Sequence, residues 1–262
     1  MKFEIMICAK NIKKTFGQQE VLKGISTVFH SGKTNLIIGR SGAGKTVLLK
    51  TLVGLVVPTE GAIWYDDVDF TKLDKEQTRQ IRMKVGMLFQ GSALFDSMTV
   101  EQNVRFPLDM FTSMTKKEKE DRVNNCLERV GLTGANLKFP SEVSGGMQKR
   151  VGIARAIVLN PKYLFCDEPN SGLDPKTSMV IDELIRSITV ENNITTIINT
   201  HDMNSVMEIG DNITFIHQGR LEWQGNKDEV LESPNQELQT FIFASPFLQR
   251  LRDKALGRDL NY

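Results

Sequence analysis

The 262-residue chain is 40% hydrophobic and 25% charged, which are the proportions of an ordinary globular protein and suit one large domain or two small ones. A net charge of +1 gives no electrostatic case for binding nucleic acid or a membrane surface. The three cysteines, Cys8, Cys126 and Cys166, lack metal-ligand or redox spacing, which excludes a disulfide framework and favours a reducing cytoplasm. The apolar run at residues 52–57 is too short to cross a bilayer.

Strand-like runs recur between helical stretches. We expect an opening strand over residues 1–8, and apolar strands at 34–38, 163–166 and 195–199. Strands that are apolar along their length are typical of a parallel sheet covered on both faces, so the pattern predicts an α/β fold. Each of the three later strands is followed at once by polar or glycine-rich residues, where ligands bind in open α/β sheets.

A glycine-rich loop follows the strand at 34–38. Residues 39–46 match G-x-x-x-x-G-K-[ST], and a helix is predicted from Val47. Backbone N–H groups of such a loop surround phosphates at a helix N-terminus. We expect Lys45 to reach the β- and γ-phosphates and the Thr46 hydroxyl to ligate Mg²⁺. The predicted phosphate-binding residues are Gly39, Ser41, Gly42, Ala43, Gly44, Lys45 and Thr46.

The stretch from about residue 71 to 138 differs in character from the predicted sheet. Thr115 and Glu118 have the spacing of a capping box, apolar residues follow at helical spacing, and Gly131 is a stop signal. The pattern predicts a helical insertion in the sheet domain.

A second anion-binding pattern and an acidic pair follow. Ser144, Gly145 and Gly146 open a predicted helix, where a hydroxyl and exposed N–H groups meet the positive end of the helix dipole. A plain serine cap with two glycines is the alternative. Asp167 and Glu168 end the strand at 163–166. An aspartate there can hold Mg²⁺, usually through water, and Glu168 can act as general base.

The C-terminal part contains a predicted hairpin at 214–223 and a tail of different character. Ser245 is predicted to cap a final helix, and Phe241, Phe243 and Phe247 lie close together in the sequence. Two interpretations stay open. The tail is either a helix packed on its own domain or a segment that docks on a partner subunit.

The order of the phosphate loop, Ser144-Gly145-Gly146 and the Asp167-Glu168 pair resembles the nucleotide-binding domain of ABC ATPases, over about residues 4–232. The resemblance implies an α/β fold: a P-loop NTPase core of RecA type with a mainly parallel sheet, an N-terminal antiparallel β-subdomain and a helical subdomain inserted at about 90–160. It divides the chain into an ABC nucleotide-binding domain, residues 1–240, and a helical tail, residues 241–262.

Single residues also match the pattern of this family. Phe16 stands where an aromatic side chain stacks on adenine, Gln90 matches the Q-loop glutamine, and residues 171–174 resemble the D-loop that ends at Asp174. His201 resembles the switch histidine. The resemblance thus implies an ATPase that uses ATP and Mg²⁺. The implied catalytic residues are Glu168, His201 and Gln90, and the implied metal ligands are Thr46, Gln90 and Asp167.

The family mechanism also implies a second copy of the chain. Ser144, Gly145 and Gly146 reach across to the ATP held by the other copy, so two chains sandwich two nucleotides. We therefore expect a homodimer that closes on ATP and opens after hydrolysis.

Two kinds of ABC protein remain as alternatives. The first is the ATPase subunit of a transporter, bound to an integral membrane permease on the cytoplasmic side of the inner membrane. The second is a soluble ABC ATPase that acts on DNA, RNA or the ribosome. The segment between Lys45 and Asp167 is too short for the long coiled coil of DNA-repair relatives, and a second nucleotide domain is absent. The transporter is favoured, with no nucleic-acid partner.

Within transporters, residues 87–100 and 103–108 resemble the Q-loop region of the Mla-type ATPases, which also favour a methionine at the position of Met147. Val143 departs from the usual leucine. This resemblance implies phospholipid trafficking between bacterial membranes, with a permease, an MCE-domain protein and a small regulatory subunit as partners. The alternative is a transporter for another substrate, by import of a small polar solute or by efflux.

The same segment is predicted to contribute to a groove that receives a short helix of the permease. Its apolar residues either line this groove or belong to the core of the insertion. They are Phe95, Met98, Phe106, Leu108 and Met110.

Overall fold

The computed structural model describes residues 6–244 and 249–250. Its first sheet is antiparallel, with the strand order β2-β1-β4-β5. A tight turn at Gly17, which has a φ of +57°, joins β1 to β2. This sheet is the N-terminal antiparallel subdomain that the sequence predicts. Its strands are β1 (Met6–Phe16), β2 (Gln19–His30), β4 (Glu60–Tyr65) and β5 (Val68–Asp69).

The second sheet has six strands in the order β10-β9-β3-β8-β7-β6. Every neighbouring pair is parallel except β9 and β10, which form the predicted hairpin. The expected mainly parallel sheet is thus confirmed. Its strands are β3 (Thr34–Ile38), β6 (Val85–Leu88), β7 (Tyr163–Asp167), β8 (Thr195–Asn199), β9 (Asn212–His217) and β10 (Arg220–Gly225).

Nine α-helices lie within the described residues. Thr115 caps α4 in a capping box with Glu118, as predicted. Thr99 caps α3 in the same way through Gln102. The helices are α1 (Lys45–Leu52), α2 (Lys75–Arg82), α3 (Val100–Phe111), α4 (Lys116–Arg129), α5 (Gly145–Ile157), α6 (Pro175–Glu191), α7 (Met203–Ile209), α8 (Lys227–Glu232) and α9 (Gln236–Ile242). Short 3₁₀ turns occur at Phe70–Lys72 and Pro140–Glu142.

Two hydrophobic cores explain why the central strands are buried along their length and largely apolar. Ile37 and Phe165 belong to the core that also contains the antiparallel sheet and α1. Leu36 and Cys166 belong to the core that is covered by α3, α5 and α6. Successive residues of a strand point to opposite faces, so β3 and β7 each supply both cores. The sheet is therefore held rigidly, and its carboxyl ends are fixed in space.

One expectation is wrong in part. The segment predicted as a helical insertion from about residue 71 contains β6, which pairs with β7 at the edge of the sheet. This strand has four residues, too few to give a periodic signal. It also contains Gly86, where a Cβ atom would lie 2.3 Å from the carbonyl oxygen of Ala156. The close approach of α5 requires glycine at this position.

The C-terminal helix α9 crosses the boundary predicted after residue 240. Phe241 stacks on Phe215 of β9, with ring centroids 5.3 Å apart, and Phe243 is buried in the same core. Both side chains pack on their own domain. The helix predicted from Ser245, including Phe247, lies outside the described residues except for positions 249–250.

Candidate active site

The phosphate loop joins β3 to α1, and two of its glycines have no substitute. Gly39 has a φ of +150°, and a Cβ atom there would lie 2.3 Å from the carbonyl oxygen of Ile216. Gly44 has a φ of +105°, and its Cβ would lie 2.9 Å from Leu22 Cδ2. The chain turns sharply at both positions, so the N-terminus of α1 opens at Lys45 with its N–H groups directed into the loop.

The Lys45 side chain lies inside this loop. Its Nζ donates to the carbonyl oxygen of Gly39 at 2.8 Å and to that of Arg40 at 3.3 Å. Burial lowers the pKa of Lys45, while Glu168 and Asp167 act to raise it. The ammonium is held near the carboxylates of the site in a place that excludes most water, where its interaction with phosphate charge is strong.

A polar cluster joins the ends of β7, β8 and the start of α1. Asn199 Nδ2 donates to Asp167 Oδ1 at 2.6 Å and to Thr46 Oγ1 at 3.0 Å. Asn199 Oδ1 is buried and has no hydrogen-bond partner among the described residues. Oxygen atoms from a hydroxyl, a carboxylate and the nearby Gln90 amide form a hard donor set that fits Mg²⁺.

Glu168 and His201 form the second polar contact of the site. Glu168 Oε2 lies 2.7 Å from His201 Nδ1. The glutamate side chain is 13% exposed and the histidine side chain 66% exposed. Glu168 has a φ of +51°, a conformation that non-glycine residues adopt mainly where the surroundings impose it. Its N–H donates to the carbonyl oxygen of Asn199 at 2.9 Å, which fixes the turn after β7.

A cleft of about 800 Å³ brings most of the predicted residues together. Gln90, Glu168 and His201 face the phosphate loop across it. The cleft is wide enough for a nucleotide triphosphate. Its lining also includes Gln19, Val21 and Phe241, which sequence reasoning missed because they come from β2 and α9.

The remaining predicted residues are not part of this lining. Ala43 is buried in the phosphate loop, and Asp167 is buried behind the cleft, where it bonds Asn199 and Thr46. Phe16 is 49% exposed at the end of β1, with Lys14 Nζ 4.9 Å from its ring centroid. Ser144 caps α5 by accepting a hydrogen bond from the N–H of Met147 at 3.3 Å. Asp174 caps α6 by accepting from the N–H of Thr177 at 3.0 Å.

The caps of α5 and α6 lie side by side. A Cβ atom on Gly146 would lie 2.6 Å from Thr177 Cγ2, and one on Gly145 would lie 3.9 Å from Leu173 Cδ2. Ser144, Gly145, Gly146 and Asp174 therefore form one surface, separate from the cleft of their own chain.

A buried carboxylate lies next to the site and was also missed by sequence reasoning. Asp182 of α6 is 4% exposed. It accepts hydrogen bonds from Asn170 Nδ2 at 2.9 Å and from Ser205 Oγ at 2.7 Å. Burial raises the pKa of Asp182 to about 6, helped by Asp202 and Glu208, against the two hydrogen bonds.

This raised pKa predicts a pH-dependent stability. The folded-state pKa of about 6 lies above the ordinary value of 3.8, so the contribution of the neutral carboxyl is complete below 3.8 and is lost as the pH rises through 6. Asp182→Asn keeps a neutral group at every pH. We expect the free energy of unfolding of the variant, relative to the wild type, to rise by about 2 kcal/mol between about pH 4 and pH 7, measured by urea denaturation. A difference that is constant with pH would contradict this.

The arrangement defines the class of protein. A phosphate loop, an Asp-Glu pair on the next but one strand of the sheet and a histidine after the strand between them form the site of an ATP-hydrolysing cassette. The family model described as ABC transporter matches residues 22–171, which is more than half of the chain. The chain belongs to the ABC transporter family, as its ATP-hydrolysing subunit. No helix within residues 6–244 or 249–250 is long and apolar enough to cross a membrane.

Relatives with similar sequences include two bacterial transport proteins. The chain is 36% identical over 242 residues to the probable ribonucleotide transport ATP-binding protein mkl of Mycobacterium leprae, covering 92% of this chain and 70% of that protein. It is 41% identical over 232 residues to the methionine import ATP-binding protein MetN of Carboxydothermus hydrogenoformans, covering 87% of this chain and 68% of that protein.

Solved structures with similar folds are also ABC cassettes. The dimeric bacterial ABC transporter cassette MJ0796 has a TM-score of 0.78 and 32% identity, covering 84% of this chain and 98% of that chain. CbiO1 of Clostridium perfringens, part of the CbiONQ transporter complex, has a TM-score of 0.82 and 29% identity, covering 97% and 99%. MJ0796 has also been solved in a post-hydrolysis state with ADP and phosphate. These neighbours confirm the ABC ATPase fold.

Proposed function

We propose that two copies of this chain close on two ATP molecules and that this closure drives a separate membrane permease. The observation that carries the proposal is the separation of Ser144, Gly145, Gly146 and Asp174 from their own cleft. A hydroxyl and free N–H groups at the start of α5 suit a phosphate, and a second copy can supply one. MJ0796 has been solved as a dimer, which supports pairing of two copies.

Within each cleft, the described side chains have distinct tasks. Thr46, Gln90 and Asp167 would hold Mg²⁺, whose chemistry there is to neutralise charge on the phosphates. Lys45 binds the β- and γ-phosphates. Glu168 accepts a proton from the attacking water.

His201 and Phe16 are the remaining two residues with a proposed role at the nucleotide. His201 would contact the γ-phosphate, and its Nδ1 lies 2.7 Å from Glu168 Oε2, which holds the two side chains together. We further propose that Phe16, which is half exposed at the end of β1, stacks on the adenine ring.

Ser144→Arg tests the contribution of the partner. Ser144 is exposed and lies outside the cleft of its own chain, so we expect ATP affinity of the isolated chain to change by less than about twofold. Hydrolysis should be abolished, because the bulky cation blocks only the contact across the dimer. Steady-state phosphate release and nucleotide titration measure the two quantities. Retained hydrolysis would reject the composite site.

We infer that the permease docks on the helical side of the cleft and that the chain is thereby held on the cytoplasmic side of the inner membrane. Phe95 is 42% exposed and Met110 is 57% exposed, as a groove for a partner helix requires. Phe106 supports Phe95 from below, with ring centroids 5.0 Å apart. Leu108 is buried in the core, so it packs beneath the groove.

We propose phospholipid trafficking of the Mla type as the transport function, with an MCE-domain protein and a small regulatory subunit as further partners. The resemblance of residues 87–100 and 103–108, and of Met147, to the Mla-type ATPases supports it. A second candidate is a transporter of a small polar solute, favoured by the names of the two relatives, which specify ribonucleotide transport and methionine import.

Purification of the native complex from its membrane tests both candidates. The tagged chain is recovered with its partners, and proteins and lipids are identified by mass spectrometry. An MCE-domain protein with bound phospholipid would support the first candidate, and a solute-binding protein with a polar ligand the second. Phe95→Asp tests the docking site and should lose the permease during purification. Phe111→Asp, at the end of α3, is the control and should retain it.

A further inference from the structure

Three polar side chains form a closed triangle behind the active site. Asp182 accepts from Asn170 Nδ2 at 2.9 Å and from Ser205 Oγ at 2.7 Å. Asn170 Nδ2 also donates to Ser205 Oγ at 3.0 Å. All three side chains are buried, at 4%, 8% and 1% exposure for Asp182, Asn170 and Ser205. Asn170 Oδ1 is buried without a hydrogen-bond partner among the described residues. The three bonds that the corners do share are buried and therefore costly to break, so the triangle resists opening.

The three residues of the triangle come from three segments, and two of these segments carry the predicted catalytic residues Glu168 and His201. Asn170 follows Glu168 by two positions, in the loop that leads to Asp174. Ser205 lies in α7, the helix that begins directly after His201 and Asp202. Asp182 lies in the middle of α6 and is not among the residues that line the nucleotide cleft.

The position of His201 depends on its backbone. The histidine side chain is 66% exposed, so packing constrains it little, yet its Nδ1 lies 2.7 Å from Glu168 Oε2. The segment behind it is held by two local hydrogen bonds at Asp202: the N–H donates to Thr200 Oγ1, and the carboxylate accepts from Asn204 N–H. Ser205 of α7 accepts a hydrogen bond from Asn170 in the loop after Glu168 and donates one to Asp182 of α6.

We propose that Asp182 is a positioning residue for ATP hydrolysis, which fixes the distance between Glu168 and His201 by binding the segments that carry them. The carboxylate acts through Asn170 and Ser205 and does not touch the reacting atoms. Misplacement of a catalytic group by about 1 Å can reduce a rate by about 100-fold. The proposal depends on ATP hydrolysis by this chain and not on the identity of the transported molecule.

Asp182→Ala tests the proposal by steady-state kinetics of the full chain. We expect kcat to fall about 10- to 100-fold with the KM for ATP within about twofold, because Lys45 and the phosphate loop are untouched. Asp182→Asn can accept from Asn170 and donate to Ser205, so it should restore kcat to within about threefold of the wild type. A fall in kcat that is equal for both variants, or a rise in KM without a change in kcat, would overturn the proposal.

A matched control lies on the same helix. Thr189 is fully buried and its Oγ1 bonds the carbonyl oxygen of Ile185 and Thr196 Oγ1, away from the site. Thr189→Val should lower the melting temperature and leave kcat within about twofold. If it lowers kcat as much as Asp182→Ala does, loss of stability explains both and the proposal is wrong.

Ser205→Ala keeps the test decisive if Asp182→Ala fails to fold. It removes one donor and leaves little empty space, so we expect a fall in kcat of about threefold to tenfold with an unchanged KM. Combined with Asp182→Asn, its effect should be less than the product of the two single effects, because both act through one triangle. Independent, multiplying effects would show that the carboxylate and the hydroxyl do not work together.

Discussion

Glu168→Gln is expected to bind ATP with nearly wild-type affinity and to hydrolyse it about 10²- to 10⁴-fold more slowly, the range that a positioned general base contributes. Glutamine has the size and shape of glutamate, so the turn after β7 and the bond from Glu168 N–H to Asn199 stay in place. Its amide cannot take a proton from water. The negative charge that faces Lys45 is also lost, which reduces repulsion of the phosphates and helps binding.

Phosphate release and nucleotide titration measure these two effects. Glu183→Gln is the matched control, because it makes the same chemical change at an exposed position of α6. It should leave both quantities within about twofold of the wild type. Turnover of Glu168→Gln at the level of this control would show that another group accepts the proton.

Lys45→Ala is expected to bind ATP about 10- to 100-fold more weakly, because the variant loses one or two charge-assisted hydrogen bonds to the phosphates. The ammonium lies within the phosphate loop, 2.8 Å from the carbonyl oxygen of Gly39, and alanine leaves the phosphate charge without its cation. Hydrolysis should be lost with affinity. Burial of Lys45 lowers its pKa, so holding the charged ammonium in the folded chain costs free energy that its phosphate contacts offset.

Isothermal titration of ATP into the variant measures this affinity. Lys50→Ala is the control, since Lys50 lies in the last turn of the same helix and outside the cleft lining. It should bind ATP as the wild type does. Equal affinity of Lys45→Ala and Lys50→Ala would refute the role of Lys45.

The sequence predicted the central strands well for two reasons: their residues are mostly apolar or β-branched, and polar residues follow them. Each residue of β3, β7 and β8 is buried, and all are apolar or β-branched except Asn35, Asp167 and Asn199. The polar residues that follow them define the site. β6 was missed because it has only four residues and includes Gly86, whose presence reflects contact with α5 and not a preference for strand.

The motif residues were predicted, but their supporting residues were not. Asn199 is the last residue of β8 and pairs with Asp167 in register, so its amide reaches the carboxylate only once the strands are neighbours. Asp182 occupies a buried position of an amphipathic helix where an apolar side chain is the ordinary expectation. The charge of Asp182 at a position where an apolar residue is expected was the only sequence feature that could have indicated its buried role. The partners that explain it, Asn170 and Ser205, are distant in sequence.

The most direct measurement of the proposed composite site is ATP hydrolysis by a mixture of two inactive variants. Lys45→Ala retains Ser144, and Ser144→Arg retains Lys45, so a mixed dimer contains one site with both groups intact. Each variant alone should be inactive. An equimolar mixture should recover on the order of a quarter of the wild-type rate, since random pairing makes half of the dimers mixed, with one working site each. A mixture no more active than its two components would contradict the account.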